Sequence, residues 1–178
     1  MLSEKETIVA CSSPPGRGAI SIIRLSGDKA VSIIQKITNN KVKKKISVLK
    51  FPLEKGLDEK CVLTIFRSPN SYTGEDLVEI STHGNPLIVN KVIERCLNFG
   101  AKVAKPGEFT LRAFLNNKLT LDQSEAVVDI INANSKASLI AAQNSLNGGL
   151  KVKISKVQEK LREARVFVET LIDFVEED

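Results

Sequence analysis

Residues 106–126 separate two parts of the chain that differ in hydrophobic pattern. Before this segment, short apolar runs alternate with Gly and Pro turns, a pattern typical of strands and short helices. After it, apolar residues recur at intervals of three and four, which is typical of helices. Because no single secondary-structure class fits both parts, we predict an α+β domain followed by an all-α segment of long helices.

The junction between these parts carries several local signals. A Pro-Gly pair opens it with a turn, and residues 108–115 are predicted to form a short helix. Lys118 follows that helix in a short connection. Asp122 is expected to cap the next helix, with Glu125 three residues later as its reciprocal partner. A hinge between two architectures is a natural place for a binding site, and Lys118 lies on it.

The first part has five apolar runs that predict strands, at residues 7–11, 18–25, 61–66, 76–82 and 101–104. Two helices are expected between them, one starting near Asp28 and one from Asn85 to Gly100. Residues 39–59 are basic and irregular, and they carry no assignment. The predicted architecture is a mixed or antiparallel sheet with covering helices.

The second part contains a heptad repeat of apolar residues. Its members are Leu150, Ile154, Val157, Leu161, Ala164, Val168, Leu171 and Val175. Such a helix is expected to pack against other helices. The acidic residues 176–178 would be unfavourable at a helix C-terminus, so the chain is predicted to be the N-terminal fragment of a longer protein.

Composition and motif content exclude several classes of protein. An apolar fraction of 42% supports a real core. The three cysteines are widely spaced and there is one histidine, so we expect neither a disulfide framework nor a metal site. This cysteine usage favours a reducing compartment, here the cytoplasm. The sequence has no signal-peptide pattern and no apolar run near the ~20 residues that span a bilayer, so no membrane association is expected.

No catalytic residue is predicted in this chain. The P-loop pattern G-x-x-x-x-G-K-[ST] does not occur, and the sequence shows no recognisable Ser/His/Asp or Cys/His catalytic arrangement. The net charge of +5 is concentrated in the basic stretch formed by Lys41, Lys43, Lys44, Lys45 and Lys50. This stretch favours a solvated basic loop; the alternative is a direct RNA contact, which predicts an affinity that falls steeply with salt.

Three charged residues lie at the ends of apolar elements, namely Arg24, Glu79 and Lys118. Strand parity places Arg24 on the same face as Ile20 and Ile22, where a charge needs a partner, a ligand or an exit to water. In one interpretation, Arg24 and Glu79 simply pair across neighbouring strands. In the other, one carboxylate and two cations line a pocket. That pocket would suit a ligand with a donor-rich ring at one end and carboxylates at the other.

The sequence resembles the tRNA modification GTPase MnmE family, also called TrmE, in blocks that follow the family's order. The blocks read T-I-V-A (7–10), S-P-P-G-R-G-A-I-S-I-I-R-L-S-G (13–27), P-N-S-Y-T-G-E-D-L-V-E-I (69–80), H-G-N-P (83–86) and P-G-E-F-T-L-R-A-F-L-N-N-K-L-T-L-D-Q-S-E-A (106–126). They span the first two thirds of the chain, and the helical remainder is similar in character.

The resemblance implies a division of the chain into two domains. Residues 1–118 would be a folate-binding and dimerisation domain, with a fold like that of the glycine-cleavage T-protein. Residues 119–178 would be the first part of a helical domain, whose G domain and C-terminal helices are absent. The family's folate contacts fall on Arg24, Glu79 and Lys118, with Glu79 expected at the pterin edge.

The resemblance also implies an activity for the parent protein. The family forms a homodimer and binds 5-formyl- or 5,10-methylene-tetrahydrofolate. With its FAD-dependent partner MnmG, it builds an aminomethyl or carboxymethylaminomethyl group on the wobble uridine of tRNA, driven by GTP hydrolysis with magnesium and potassium. Without a P-loop, this chain is expected to be inactive alone. The alternative is a non-catalytic dimerisation scaffold that binds no ligand.

Overall fold

The computed structural model describes residues 6–42 and 44–175, which form six strands and six helices. The first part of the chain contains β1 (Ile8–Cys11), β2 (Gly18–Ser26), α1 (Ala30–Thr38), β3 (Ile46–Glu54), β4 (Leu57–Phe66), β5 (Leu77–Gly84), α2 (Pro86–Asn98), β6 (Lys102–Val103) and α3 (Glu108–Leu115). The second part contains α4 (Leu121–Asn132), α5 (Lys136–Leu146) and α6 (Gly149–Val175). Two predicted features, Lys43 of the basic stretch and the acidic residues 176–178, lie outside the described residues.

The strands form one sheet in the order β3-β4-β5-β2-β1-β6. All neighbouring strands are antiparallel except β1 and β6, which are parallel. The sheet is therefore mixed, and α1 and α2 pack against it around a shared hydrophobic core. The predicted α+β class, with a mixed sheet followed by a helical segment, is confirmed.

The structure corrects the prediction for residues 39–59, to which the sequence pattern assigns no secondary structure. Most of this stretch belongs to the β3–β4 hairpin, whose strands pair antiparallel. Phe51 and Leu53 are 0% and 3% exposed in β3, whereas Lys50 is exposed and lies opposite Lys60. Lys50 thus lies on the solvent face of a half-buried strand, together with the exposed Val48. Pro52 within the run weakened the strand signal.

Glycine allows the close approach of two chain segments where β2 leads into α1. Gly27 has a φ of 130°, and a Cβ there would lie 2.8 Å from the Cα of Thr7. The backbone N–H of Lys29 donates to Thr7 Oγ1 at 3.0 Å, which fixes the start of the helix. The predicted α1 helix is confirmed, and its apolar face is buried.

Helix α2 also follows the sequence prediction. The Asn85 side chain accepts a hydrogen bond from the N–H of Leu87 at 2.9 Å, so Asn85 is the N-cap and a proline occupies the first turn. Val92 and Cys96 are fully buried against the sheet. The C-terminal connection reverses at Gly100, which has a φ of 98°.

The two faces of the sheet differ in burial. Ile23 and Leu25 are 0% exposed and point into the core, so Ile22 and Arg24 lie on the opposite face by strand alternation. This second face also carries Glu79, because Val78 and Ile80 on either side of it are buried. The predicted parity of the Arg24 strand is confirmed.

A buried carboxylate ties the loop before β5 to helix α3. Glu75 is 6% exposed, and its Oε2 accepts hydrogen bonds from Ser26 Oγ at 2.8 Å and from Arg112 Nη1 at 3.1 Å. The other terminal nitrogen of Arg112 donates to Glu108 Oε1 at 2.9 Å. One ion-pair network therefore links the loop, the end of β2 and α3.

The electrostatic environment of Glu108 reflects this network. Burial acts to raise its pKa, but the backbone N–H of Lys105 and the Arg112 guanidinium outweigh burial, so the pKa of Glu108 is lowered from its ordinary value. A carboxyl group whose folded-state pKa is lowered stabilises the fold above its unfolded-state pKa. That contribution is lost as the pH falls through the folded-state pKa.

The chain divides into two compact units between Lys118 and Leu119. Within the second unit, α4 and α5 pack together, with Ala126 and Ala142 1% and 5% exposed. The side-chain amide of Gln123 donates to the carbonyl oxygen of Leu146 at 2.8 Å and joins the two helices.

The predicted cap of α4 is wrong by two residues. Thr120 is the N-cap, and its partner in the capping box is Gln123, whose Oε1 accepts from the Thr120 N–H at 2.9 Å. Asp122 lies in the first turn instead and accepts from the Thr120 hydroxyl. Both Thr-x-x-Gln and Asp-x-x-Glu satisfy the capping-box pattern, so the sequence alone did not separate them.

Helix α6 has the predicted heptad repeat, but the described chain does not cover its apolar side. The exposed fractions of Val157, Leu161 and Val168 are 58%, 64% and 52%. For Leu150 and Val175, at the two ends of the repeat, the structure describes the helical backbone but not the side chains. None of the helices described is both long enough and apolar enough to cross a membrane.

The burial of the cysteines gives a prediction for their reactivity. Burial raises the pKa of the Cys96 thiol to about 12, and burial followed by the charge of Glu59 raises that of Cys61 to about 12. Cys11 is only partly buried. Because the thiolate is the reactive form, we expect Cys11 alone to react quickly with Ellman's reagent at pH 8 in native buffer. All three thiols should react in denaturant, and fast labelling of Cys61 or Cys96 in native buffer would contradict this burial pattern.

The Glu75–Arg112 ion pair gives a prediction for stability. Glu75→Gln keeps the shape of the side chain but removes the charge facing Arg112, and we expect a loss of about 1–3 kcal/mol in the free energy of unfolding. Glu94→Gln is the matched control, since Glu94 pairs with Lys91 on the surface and should cost below about 0.5 kcal/mol. Urea denaturation followed by circular dichroism measures both. Equal losses in the two variants would rule out a special role for the buried pair.

Candidate functional site

The site centres on an ion pair between adjacent strands. Arg24 in β2 lies directly opposite Glu79 in β5 in the antiparallel register. Arg24 Nε and Nη2 both donate to one oxygen of the carboxylate, Glu79 Oε1, at 3.1 and 2.6 Å. The two side chains are 23% and 22% exposed, so the pair is accessible from one side.

This geometry leaves an acceptor free. Both hydrogen bonds from Arg24 end on Glu79 Oε1, and within the described part of the chain Glu79 Oε2 accepts no hydrogen bond. Among the described residues, Glu79 Oε2 is not one of the buried side-chain atoms that lack a hydrogen-bond partner. It is therefore open to solvent or to a ligand. A carboxylate held in this way can accept hydrogen bonds from a ring N–H or an amine.

Two aromatic rings flank the guanidinium group. The Arg24 Cζ atom lies 5.3 Å from the centroid of the Tyr72 ring and 5.7 Å from that of Phe109. Both distances are within the range of cation–π contacts. Tyr72 comes from the loop before β5 and Phe109 from the first turn of α3, so the site draws on three separate segments.

Sequence reasoning missed both aromatic residues. With seven Phe, one Tyr and no Trp, the composition gave no sign of a stacking surface. The available signal was local: Tyr72 and Phe109 lie within two of the blocks that carry the family resemblance. Their proximity to Arg24 is a tertiary contact, which no spacing in the sequence encodes.

Lys118 lies against the same loop that supplies Tyr72. Gly74 has a φ of 77°, and a Cβ there would lie 3.2 Å from Cγ and 3.4 Å from Cδ of Lys118. The aliphatic stem of Lys118 therefore rests on a position that only glycine fits. The nearby Asn116 side chain donates to the carbonyl oxygen of Thr73 at 2.7 Å and holds the two segments together.

The three predicted site residues thus differ in their contacts. Arg24 and Glu79 are bonded to each other, as the cross-strand interpretation anticipated. Lys118 is exposed, and across residues 6–42 and 44–175 its side chain has neither a hydrogen bond nor an ion pair. The ammonium group of Lys118 is therefore available to an anion, whereas the guanidinium group of Arg24 is already bonded to Glu79.

Two other charged features lie elsewhere in the first unit. His83 Nδ1 is 2.7 Å from Glu59 Oε1, and the same oxygen accepts from the His83 backbone N–H at 2.9 Å. A separate cavity of about 260 Å³ is lined by Lys44, Lys45 and Arg67, among others. No group of His, Cys, Asp and Glu suited to a metal ion occurs among the residues described.

Comparison with known families matches nearly the whole chain. Residues 7–118 match the family described as GTP-binding protein TrmE N-terminus, and residues 121–178 match the MnmE helical domain. The boundary between the matched regions falls at the end of the connection that contains Lys118.

Individual relatives agree with these matches. The chain is 48% identical over 176 residues to the tRNA modification GTPase MnmE of Francisella philomiragia subsp. philomiragia. It is 47% identical over 175 residues to the protein of the same name from Francisella tularensis subsp. novicida. Each alignment covers 98% of this chain and 39% of the relative. The chain therefore spans about two fifths of the length of these relatives, and it belongs to the TrmE/MnmE family.

Proposed function

We propose that this chain is the tetrahydrofolate-binding and dimerisation part of a tRNA modification GTPase. The observation that carries the folate assignment is the open acceptor, Glu79 Oε2, on a carboxylate fixed by Arg24. The edge of a pterin presents a ring N–H beside an amine, and a carboxylate is the natural acceptor for such paired donors. Residues 1–118 would form this folate-binding domain and residues 119–178 the start of the helical domain.

The residues present fit a folate in its other parts as well. The rings of Tyr72 and Phe109 lie beside the Arg24 guanidinium that holds Glu79, and they would offer flat apolar surfaces to a planar ligand. The free ammonium group of Lys118 suits a carboxylate of the glutamate tail. A 5-formyl- or 5,10-methylene-tetrahydrofolate, when bound, would supply the one-carbon unit. Strand β2, the loop before β5 and helix α3 would bind and orient the ligand.

The activity of the whole protein is also a proposal. The relatives are named tRNA modification GTPases, and the chain spans 39% of their length. We propose that the parent acts with MnmG on the wobble uridine of tRNA, in the cytoplasm. In the parent, GTP with magnesium and potassium would bind outside this chain, which has no P-loop motif and is expected to be inactive alone.

Exposed aliphatic residues support the proposal of a homodimer. Ile20, Val48 and Val62 are 67%, 63% and 37% exposed on the sheet face opposite the helices, and Val48 pairs with Val62 across neighbouring strands. An apolar surface of this kind is typical of protein interfaces. A second copy of the chain would bury it.

A second candidate function is a dimerisation scaffold that binds no ligand. The observation in its favour is that Arg24 and Glu79 form an internal ion pair at 2.6 Å, which satisfies both charges without a ligand. Under this hypothesis the pair would contribute only to stability. The two candidates therefore differ in whether removal of the Glu79 charge affects binding as well as folding.

Calorimetry with 5-formyltetrahydrofolate separates the two candidates. We expect the wild-type chain to bind with measurable heat and Glu79→Gln to bind about tenfold or more weakly, because a neutral amide oxygen is a weaker hydrogen-bond acceptor than a charged carboxylate oxygen. Glu54→Gln, at an exposed carboxylate that pairs with Lys91, should bind like the wild type. Equal affinities of wild type and Glu79→Gln would favour the scaffold.

Sedimentation velocity tests the dimer. We expect a species of twice the 19.5 kDa chain mass at micromolar concentration, and Val48→Glu should shift it toward the monomer because it buries a charge in the interface. Leu87→Glu is the control, since Leu87 is 75% exposed on α2, which packs on the other side of the sheet. A wild-type monomer, or the same shift in both variants, would argue against this interface.

A further inference from the structure

We infer that Tyr72 and Phe109 are positioning residues of the candidate site, and that a ligand's ring donors bind Glu79 through Oε2 alone. This inference rests on the proposed folate function and assigns two residues and one atom to it. The rings hold the Arg24 guanidinium, the guanidinium holds one oxygen of Glu79, and the other oxygen faces the ligand.

Two aromatic rings hold the Arg24 side chain in place. Its Cζ lies 5.3 Å from one ring centroid and 5.7 Å from the other, so each ring restrains the planar cation. A long, flexible side chain at the surface otherwise samples many rotamers. With both rings present, the guanidinium keeps its two N–H groups directed at Glu79 Oε1.

Arg24 in turn occupies one of the two oxygens of Glu79. Because Oε1 accepts both bonds from Arg24, this oxygen has little capacity left for a third strong donor. Oε2 keeps its lone pairs, and the carboxylate cannot turn without breaking two bonds to Arg24. The ligand therefore meets an acceptor whose direction is already set, which reduces the entropy lost on binding.

Contacts between the loop before β5 and helix α3 hold the two rings relative to each other. The Tyr72 hydroxyl and the Thr110 hydroxyl are 2.9 Å apart, which ties the loop to the residue after Phe109. Three residues after Tyr72 in the loop and three residues after Phe109 in α3, Glu75 and Arg112 form the buried ion pair at 3.1 Å. Two links between the same loop and helix fix one segment against the other, so the ring positions are set by contacts outside the ligand-facing surface.

The composition of the chain provides a direct probe of this arrangement. Tyr72 is the single tyrosine, and the chain has no tryptophan. The intrinsic fluorescence of the protein therefore reports on one side chain within the site. A reduced folate that absorbs in the near ultraviolet and binds beside Tyr72 should quench this emission in a saturable way.

The test measures 5-formyltetrahydrofolate binding by the 178-residue chain and three variants. Phe109→Leu keeps an apolar side chain but removes the ring, and we expect binding about tenfold weaker. Phe109→Tyr restores a ring and should stay close to wild-type affinity. Phe114→Leu makes the same change on the same helix, at a residue that is 37% exposed, and should not alter affinity.

Two readouts separate positioning from a merely structural role. Thermal unfolding midpoints of Phe109→Leu and Phe114→Leu should be similar, while their dissociation constants differ. Tyr72 emission should fall on titration of the wild type with the same dissociation constant that calorimetry gives, with free tyrosine amide titrated in parallel to correct for absorbance.

The outcomes distinguish this inference from the function on which it rests. If the wild type binds and Phe109→Leu binds equally well, or if binding leaves Tyr72 emission unchanged, the positioning role is overturned and the folate function stands. If the wild type does not bind at all, both are overturned. A loss of affinity in Phe109→Leu that merely follows a fall in its unfolding midpoint also overturns the positioning role.

Discussion

The candidate site depends on the buried ion pair between Glu75 and Arg112, although among the described residues neither is bonded to Arg24 or Glu79. Glu75 is 6% exposed and is also bonded to Ser26 at the end of β2. The pair therefore fixes the loop before β5 and the helix α3 to the sheet at one point. A buried charge is tolerated only with a close partner of opposite charge. Moving the loop away from α3 would leave Glu75 and Arg112 buried and unpaired, and this unfavourable free energy holds the two segments together. The rings of Tyr72 and Phe109 reach Arg24 as a result.

The Arg24–Glu79 pair has a different physical character. Its side chains are 23% and 22% exposed, and exposed pairs typically contribute about 0–1 kcal/mol to stability. So small a contribution to stability does not by itself explain why two charged residues lie among apolar residues on this strand face. A ligand that covers the pair would exclude water, and the same hydrogen bonds would then be stronger. The single-oxygen geometry fits a binding role, since it satisfies Arg24 and still leaves an acceptor.

Much of this structure could be predicted from the sequence, and the failures have physical causes. The strand parity of Arg24 followed from local alternation, and the helix at 108–115 from the turn signal before it, both of which short segments encode. The β3–β4 hairpin was missed because Pro52 interrupts β3 and the lysines before and within that strand resembled a basic loop. The aromatic rings and the Glu75–Arg112 pair were missed because they are contacts between residues 37 or more positions apart in the chain. Only folding brings such residues together.

The central claim is that Glu79 Oε2 is the acceptor for a bound pteridine. A crystal structure of the chain with 5-formyltetrahydrofolate tests it most directly. The account predicts the ring N–H and amine of the ligand within hydrogen-bond distance of Oε2, with the Arg24 bonds to Oε1 kept and both aromatic rings beside the ligand. A ligand bound on another surface, or an Oε2 atom occupied by a donor of the protein itself, would contradict it.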